Sequence, residues 1–368
     1  MQPLGLYLHT PFCAKKCAYC SFYSLPAGPA VYRAYTKAVI QQLTRWGSLL
    51  GRPADTLYLG GGTPTLLGAK ALTAILVAAK KAFLLHGAEI TLEANPAENL
   101  GPLFRAAAKN GVNRISLGVQ SVVESELCLL GRRHRFAEVK KAVQALKNAG
   151  IQNFSLDLML GIPGQTPQSL AYTLNELLQL QPTHLSAYML SLEPGTPLYQ
   201  NKAALNLPGP DETAAFYLQT CSTLEQAGFK RYEISNFAKK GFESRHNNKY
   251  WQGAEYLGIG PSAHSFLNGK RFYYPASLQA FLNGAKPVDD GSGGGYEEYL
   301  MLALRLTAGL NLARLEQLYG SPLPDSFYRL LTRLKQQGYA LLQNGCVSLT
   351  NTGALVSNSI ITALAECL

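Results

Sequence analysis

The 368 residues carry 47% apolar side chains and a net charge of +10, enough chain and enough apolar surface for a large core and two or three domains. Lys and Arg are scattered, with no basic run interleaved with aromatics, which argues against nucleic acid as a partner; a mild positive field also suits an acidic small ligand. No apolar run reaches the length of a membrane span, and Met1-Gln2-Pro3 lacks a cationic stretch before an apolar segment, so a cytoplasmic protein without a transmembrane segment is expected.

In chain order, Leu4 to His9 is apolar and aromatic and reads as a buried strand. The loop after it holds Cys13-Ala14-Lys15-Lys16-Cys17-Ala18-Tyr19-Cys20, at the strand end where α/β folds place their chemistry. A helical stretch from Pro29 to Trp46 leads to a second strand, Thr56 to Leu59, followed by Gly60-Gly61-Gly62-Thr63-Pro64-Thr65 and an Ala/Leu-rich helix. Glu89 to Glu93, Asn113 to Val119, Phe154 to Leu160 and His184 to Ser191 read as strands three to six, each separated by one helical segment. Six βα units in series predict a parallel sheet with right-handed crossovers. They are too few for a closed eight-fold barrel, so the fold class expected is α/β, an open partial (β/α)6 barrel.

Beyond it, Asp211 to Gly228 reads as a helix, Tyr232 to Ser235 as a short strand, and the segment to about Phe281 as turn-rich. Asp289 to Gly295 has the composition of a flexible linker. From Tyr296 two or three helices, a turn at Gly338 and a strand pair within 339–349 predict a small helical, winged-helix-like appendage. The expected division is a barrel over 1–235, a connecting region over 236–288, a Gly-rich linker over 289–295 and a C-terminal helical domain over 296–368.

Three thiols within eight residues ask for a metal. Thiolates select zinc, copper(I) or iron–sulfur clusters. A structural zinc site wants a second paired cluster, and none is present. The spacing is compatible with three corners of a cubane cluster whose fourth iron stays open to an exchangeable ligand. The remaining cysteines, Cys128, Cys221, Cys346 and Cys367, are far apart and read as single buried thiols in a reducing compartment. The three glycines after the second strand read either as a tight turn or as a loop whose amides bind a charged ligand. Asp157, inside an apolar strand, needs a partner or ligand to offset desolvation.

Cys-x-x-x-Cys-x-x-Cys with an aromatic before the third Cys resembles the signature of the radical S-adenosylmethionine (SAM) superfamily. The resemblance implies that Cys13, Cys17 and Cys20 hold a [4Fe–4S] cluster whose unique iron is chelated by the amino and carboxylate groups of SAM. Gly60 to Thr65 resembles the superfamily's glycine motif, which implies that Gly61 contacts that SAM, and Gly62 and Thr63 a second small molecule. Over essentially the whole chain, including Gly161-Ile162-Pro163-Gly164-Gln165-Thr166 and Leu192-Glu193-Pro194-Gly195-Thr196-Pro197-Leu198, the segments resemble the oxygen-independent coproporphyrinogen oxidase family and its HemW-like relatives. By that resemblance Tyr7, Glu93, Gln120, Arg132 and Asp157 line the SAM pocket.

Two departures separate the branches of this family. The oxidases continue after the third Cys as Cys-x-Cys, where this chain has Phe22, and carry a long extension before the first strand, where only six residues precede Tyr7. In their place His246-Asn247-Asn248-Lys249-Tyr250-Trp251 resembles the His-Asn-x-x-Tyr-Trp element of HemW-type haem chaperones. An imidazole at His246 can ligate haem iron, with Tyr250 and Trp251 offering flat apolar faces to a porphyrin. The same residues also read as a His capping a turn, with Tyr and Trp anchoring a loop; His264 is a second candidate ligand. The resemblance therefore implies a haem chaperone that binds the cluster, SAM and haem and serves haem-accepting proteins. The alternative is oxidative decarboxylation of coproporphyrinogen III, with a flavodoxin or ferredoxin as reductant.

Overall fold

The computed structural model describes residues 3–96 and 99–368; Met1 and Gln2, on which the reading of the amino terminus leaned, lie outside them. The strand and helix order is Leu4–Thr10 (β1), Pro29–Leu50 (α1), Ala54–Gly61 (β2), Gly68–Phe83 (α2), Glu89–Ala94 (β3), Gly101–Lys109 (α3) and Arg114–Gln120 (β4). Two helices then follow, Glu124–Leu129 (α4) and Phe136–Asn148 (α5), where a single one was expected. Asn153–Leu160 (β5), Pro167–Gln179 (α6) and His184–Met189 (β6) complete six parallel strands.

These strands obey one rule. Alternate residues face the helices and are apolar, as in Leu4, Leu6 and Leu8 or Ile115, Leu117 and Val119. The residues between them face a cavity and are polar. Helix α1 closes over this wall with Tyr35, Val39 and Leu43, one helical face at i, i+4 and i+8, each fully buried and worth about 1.5–3 kcal/mol of hydrophobic stabilisation. Pro29 opens α1 at its first turn and Gly51, at φ +56°, ends it. The Tyr35 hydroxyl donates to the His9 carbonyl at 2.7 Å and ties α1 to the end of β1.

The sheet stays open and runs on past both edges of the parallel set. After Pro197–Gln200 (α7) and Pro210–Gln226 (α8), Lys230–Arg231 (β7) and Asn236–Ala238 (β8) form a hairpin, and β8 pairs antiparallel with β6. The expected strand at Tyr232 to Ser235 is the connection inside this hairpin: Glu233 makes an isolated bridge with Leu306, Ile234 and Ser235 bend back, and the ladder resumes only at Asn236. Arg245–Trp251 (α9) plugs the barrel. Tyr256–Ile259 (β9), His264–Leu267 (β10) and Lys270–Tyr273 (β11) extend the sheet from β1, with Leu278–Leu282 (α10) after them. The region read as turn-rich therefore supplies much of the sheet's second edge.

Half of the stretch read as a linker is also strand. Val288–Ser292 (β12) pairs with β11, Tyr273 opposite Val288 and Lys270 opposite Ser292, and Gly291 at φ +85° takes up the irregular register between them. Composition predicts flexibility, and the free edge of β11 overrides it. The remaining elements are Tyr296–Ala303 (α11), Leu310–Asn311 (β13), Leu312–Tyr319 (α12), Asp325–Gln336 (α13), Ala340–Gln343 (β14), Cys346–Leu349 (β15), Asn351–Leu355 (α14) and Ser357–Ala365 (α15); all but α14, whose Ala354 is buried in the barrel core, gather around a core of their own. Leu300, Leu315, Phe327, Leu331, Val347 and Ile360 belong to it. Arg231 fastens it to the barrel, donating to Asn351 Oδ1 at 2.9 Å and to the Leu349 carbonyl at 2.8 Å.

Candidate functional site

The polar faces of β2 to β6 enclose a cavity of about 410 Å³ that the Cys loop covers at one end and α9 reaches at the other. Cys13, Cys17 and Cys20 all line it and all are free thiols. Cys17 Sγ accepts from Arg132 Nη1 at 3.4 Å, and Cys13 Sγ lies 3.7 Å from Thr63 Oγ1. Burial pushes the Cys20 thiol up, with the Cys17 and Cys13 sulfurs adding to it against the Phe22 amide. The Cys20 thiol therefore wants a cationic occupant to ionise against. Among the described residues, no group of three or more His, Cys, Asp or Glu side chains is arranged to hold a single metal ion. Three thiols lining one cavity fit the donor chemistry of an iron–sulfur cluster.

Below the loop, Glu93 accepts from the Tyr58 hydroxyl at 2.6 Å and from the Gly61 amide at 3.1 Å. Burial, opposed by Tyr58 and reinforced by the Asp157 charge, pushes its carboxyl up to about 7. Asp157 is also raised by burial, and the hydroxyls of Ser116 and Ser155 donate to it at 3.0 and 3.2 Å. Arg132 donates to Asn95 Oδ1 at 2.7 Å and to the Gly118 carbonyl. Gln120 stands at a register irregularity between β4 and β5 with φ +73°, and its buried Oε1 has no hydrogen-bond partner. A non-glycine residue held in that conformation, with an unspent acceptor aimed into a cavity, is a mark of a ligand site.

The structure thus gathers Cys13, Cys17, Cys20, Gly61, Gly62, Glu93, Gln120, Arg132 and Asp157 around one space. Tyr7 and Thr63 are not part of its lining: Tyr7 bonds His9 Nδ1 at 2.9 Å behind Tyr58, and Thr63 faces a smaller neighbouring cavity with Leu66 and His134. The glycine loop also differs from expectation. Its amides are spent internally, Gly61 on Glu93, Gly62 on the Thr10 carbonyl at 2.8 Å and Thr63 on the Phe12 carbonyl at 2.6 Å. Its glycines are there because a Cβ at Gly62 would sit 2.5 Å from the Phe12 carbonyl and one at Gly61 would strike the His9 ring.

The haem candidates lie elsewhere. His246 is 1% exposed, and both ring nitrogens are engaged, Nδ1 with Thr56 Oγ1 and Nε2 with the Tyr250 hydroxyl, each at 2.8 Å. Burial lowers its pKa to about 3, so the ring is neutral. Tyr250 packs edge-on against Tyr256, and Trp251 lies under the Arg305 guanidinium of the C-terminal unit. His264 is exposed on β10, stacked on Tyr273. Of the other cysteines only Cys221 is buried; Cys128 is exposed, because α4 turns it outward. Sequence reasoning missed Tyr58, Asn95, Ser116, Ser155, His184 and Ser186, all of which line the cavity. The signal was present: Ser155 and Asp157, or His184 and Ser186, recur at the strand period of two.

Comparison with known proteins gives the family. The radical SAM superfamily model matches residues 7–177, and the HemN C-terminal domain model matches 295–356. The protein named haem chaperone HemW in Bacillus subtilis is 33% identical over 97% of this chain and 98% of its own length. This chain belongs to the HemW family of radical SAM proteins. HemW of Synechocystis is 36% identical over 86% of this chain and 81% of its own. HemW of Escherichia coli is 38% identical over 72% and 70%. Among solved structures, the radical SAM coproporphyrinogen III oxidase HemN of Escherichia coli superposes with a TM-score of 0.84 over all of this chain and 91% of its own, at 23% identity, a likeness of fold. This chain and that oxidase thus share the partial barrel and the C-terminal helical domain. Among the described residues no helix is long and apolar enough to cross a membrane.

Proposed function

We propose that this chain is a cytosolic haem chaperone. In this reading Cys13, Cys17 and Cys20 hold a [4Fe–4S] cluster, Glu93, Gln120, Arg132 and Asp157 hold SAM, and haem is carried to proteins that require it. The observation that carries the reading is the identity to HemW proteins, which runs from one end of the chain to the other. Seven free cysteines suit a reducing compartment. When bound, such a cluster supplies an open iron for the amino and carboxylate groups of SAM.

The cavity mouth supports the haem part. Phe22, at the position where the resemblance gives the oxidases a further Cys, is 66% exposed, and Tyr188, which also lines the cavity, is 43% exposed. Two aromatic side chains in a cavity lining that also holds Lys15 and Lys16 would offer a porphyrin an apolar face and its propionates a cationic edge. Ligation by His246 instead requires its bond to Tyr250 to break and the ring to leave its place against Tyr58.

The test is anaerobic reconstitution of the cluster followed by two assays. Haem is titrated and the Soret band followed; separately, coproporphyrinogen III, SAM and reduced flavodoxin are supplied and protoporphyrinogen and 5′-deoxyadenosine sought. Saturable haem binding with transfer to an apo-haemoprotein and no decarboxylation is expected. Product formation would overturn the reading in favour of the oxidase.

A further inference from the structure

The His-Asn-x-x-Tyr-Trp element contributes only Asn247 to the cavity lining, yet it sits one contact away from Glu93. Its helix, α9, is held at the barrel's far end by the Glu89 carboxylate, which accepts from the amides of Arg245 at 3.2 Å and His246 at 3.0 Å. Thr56 and Tyr250 clamp the His246 ring at its two nitrogens. The ring then stacks on Tyr58, with centroids 5.3 Å apart and planes 25° apart. Tyr58 in turn donates its hydroxyl to Glu93 at 2.6 Å. A hydrogen bond weakens steeply on misalignment, and a phenol points where the packing on its ring faces lets it.

We infer that His246 is a positioning residue for the SAM pocket: clamped by Thr56 and Tyr250, it aims Tyr58 at Glu93. The inference rests on the proposal that Glu93 faces SAM. It explains why a histidine rather than an aliphatic residue stands at a fully buried place: only a flat ring with two polar edges can stack on Tyr58 and satisfy both neighbours. It also gives Tyr250 a task, since its hydroxyl sets the ring's orientation from the opposite side.

The experiment measures SAM affinity of the cluster-loaded protein by equilibrium dialysis across the neutral pH range, in the wild type and in Glu93→Gln, Tyr58→Phe, His246→Leu, His246→Phe and Thr56→Val. Besides Tyr58, the titratable groups facing Glu93 are Tyr7, Asp157, Tyr188 and Tyr250; the phenols stay neutral in this range. Wild-type affinity is expected to rise with pH through about 7, and Glu93→Gln to remove that step. Tyr58→Phe and His246→Leu are expected to weaken SAM binding roughly fivefold to tenfold and to move the step up by about half a pH unit, because Glu93 loses the bond that favours its charged form. Thr56→Val, a gentler change, moves it in the same direction. His246→Phe restores the stacked face and most of the affinity. In the double variant of Tyr58→Phe and His246→Leu the losses do not add, since one acts through the other.

An unmoved step in both His246→Leu and Thr56→Val, with Glu93→Gln impaired, overturns the inference. So do fully additive losses, or a lost haem Soret shift with unchanged SAM affinity. A Glu93→Gln protein that binds SAM as the wild type does refutes the pocket assignment itself. Cluster absorbance and cooperative unfolding establish that each variant is folded.

Discussion

At Glu93 burial raises a carboxyl from its ordinary value of 4.5 to about 7, and on the proposal that it faces SAM this makes ligand affinity and stability depend on pH in opposite directions. In the proposed reading, where Glu93 faces SAM, the ionised carboxyl is the better acceptor and affinity is expected to rise with pH. Stability of the empty protein moves the other way: a carboxyl raised on folding stabilises fully below its unfolded value, and that contribution is lost as pH rises from about 4.5 to about 7. The amount is about 3 kcal/mol. Denaturant unfolding across that range is expected to show the decline in the wild type and a flatter profile in Glu93→Gln. The cysteines make a second prediction at this scale: replacing Cys13, Cys17 or Cys20 with Ala is expected to bleach the reconstituted brown chromophore, read as iron and sulfide per chain. Retained iron would remove that thiol from the ligand set. The cysteine spacing was legible because ligand geometry is local. The place of Gln120 was legible only through resemblance, because a strained φ at the end of a strand leaves no mark in composition.

Elements made of alternating apolar and polar residues show both of their faces in the sequence, and β3 to β6 do so. The same alternation carries the cavity wall, so half of the site was readable before any contact was known. The glycine loop is the contrary case. Three glycines read either as a tight turn or as room for a ligand, and the structure shows that Gly62 makes room for the Cys loop, whose backbone lies against it. Gly62→Ala is therefore expected to cost about 2 kcal/mol or more and to displace the Cys loop, lowering both the melting temperature and the iron content, since a backbone carbonyl cannot rotate away as a side chain would. Gly28→Ala, in open space with φ −113°, is the control and is expected to change neither. The edge strand β12 escaped notice for a related reason: a Gly-rich stretch is flexible alone, and only the unpaired edge of β11 gives it hydrogen bonds to make.

The whole molecule is built on two large cores, joined by the polar contacts of Arg231 and by α14, whose Ala354 is buried in the barrel core. Phe327 is fully buried in the smaller one, and Phe327→Ala is expected to destabilise it by about 3–5 kcal/mol. Hydrogen exchange should then loosen residues 296–368 while the barrel's amides keep their protection; loss of protection in β1 to β6 would show that the cores unfold as one. From its sequence alone the chain determined the succession of βα units, the loop of thiols at the end of the first strand and the polar face of the wall, because period and spacing are properties of neighbours along the chain. Tertiary structure alone decided that His246 and Tyr250 stand behind the wall, that Tyr58 links them to Glu93, and that the parallel sheet runs on into antiparallel edges. The physical reason is that burial and pairing depend on partners brought from far away: Thr56 meets His246 across 190 residues, and no local pattern records that meeting.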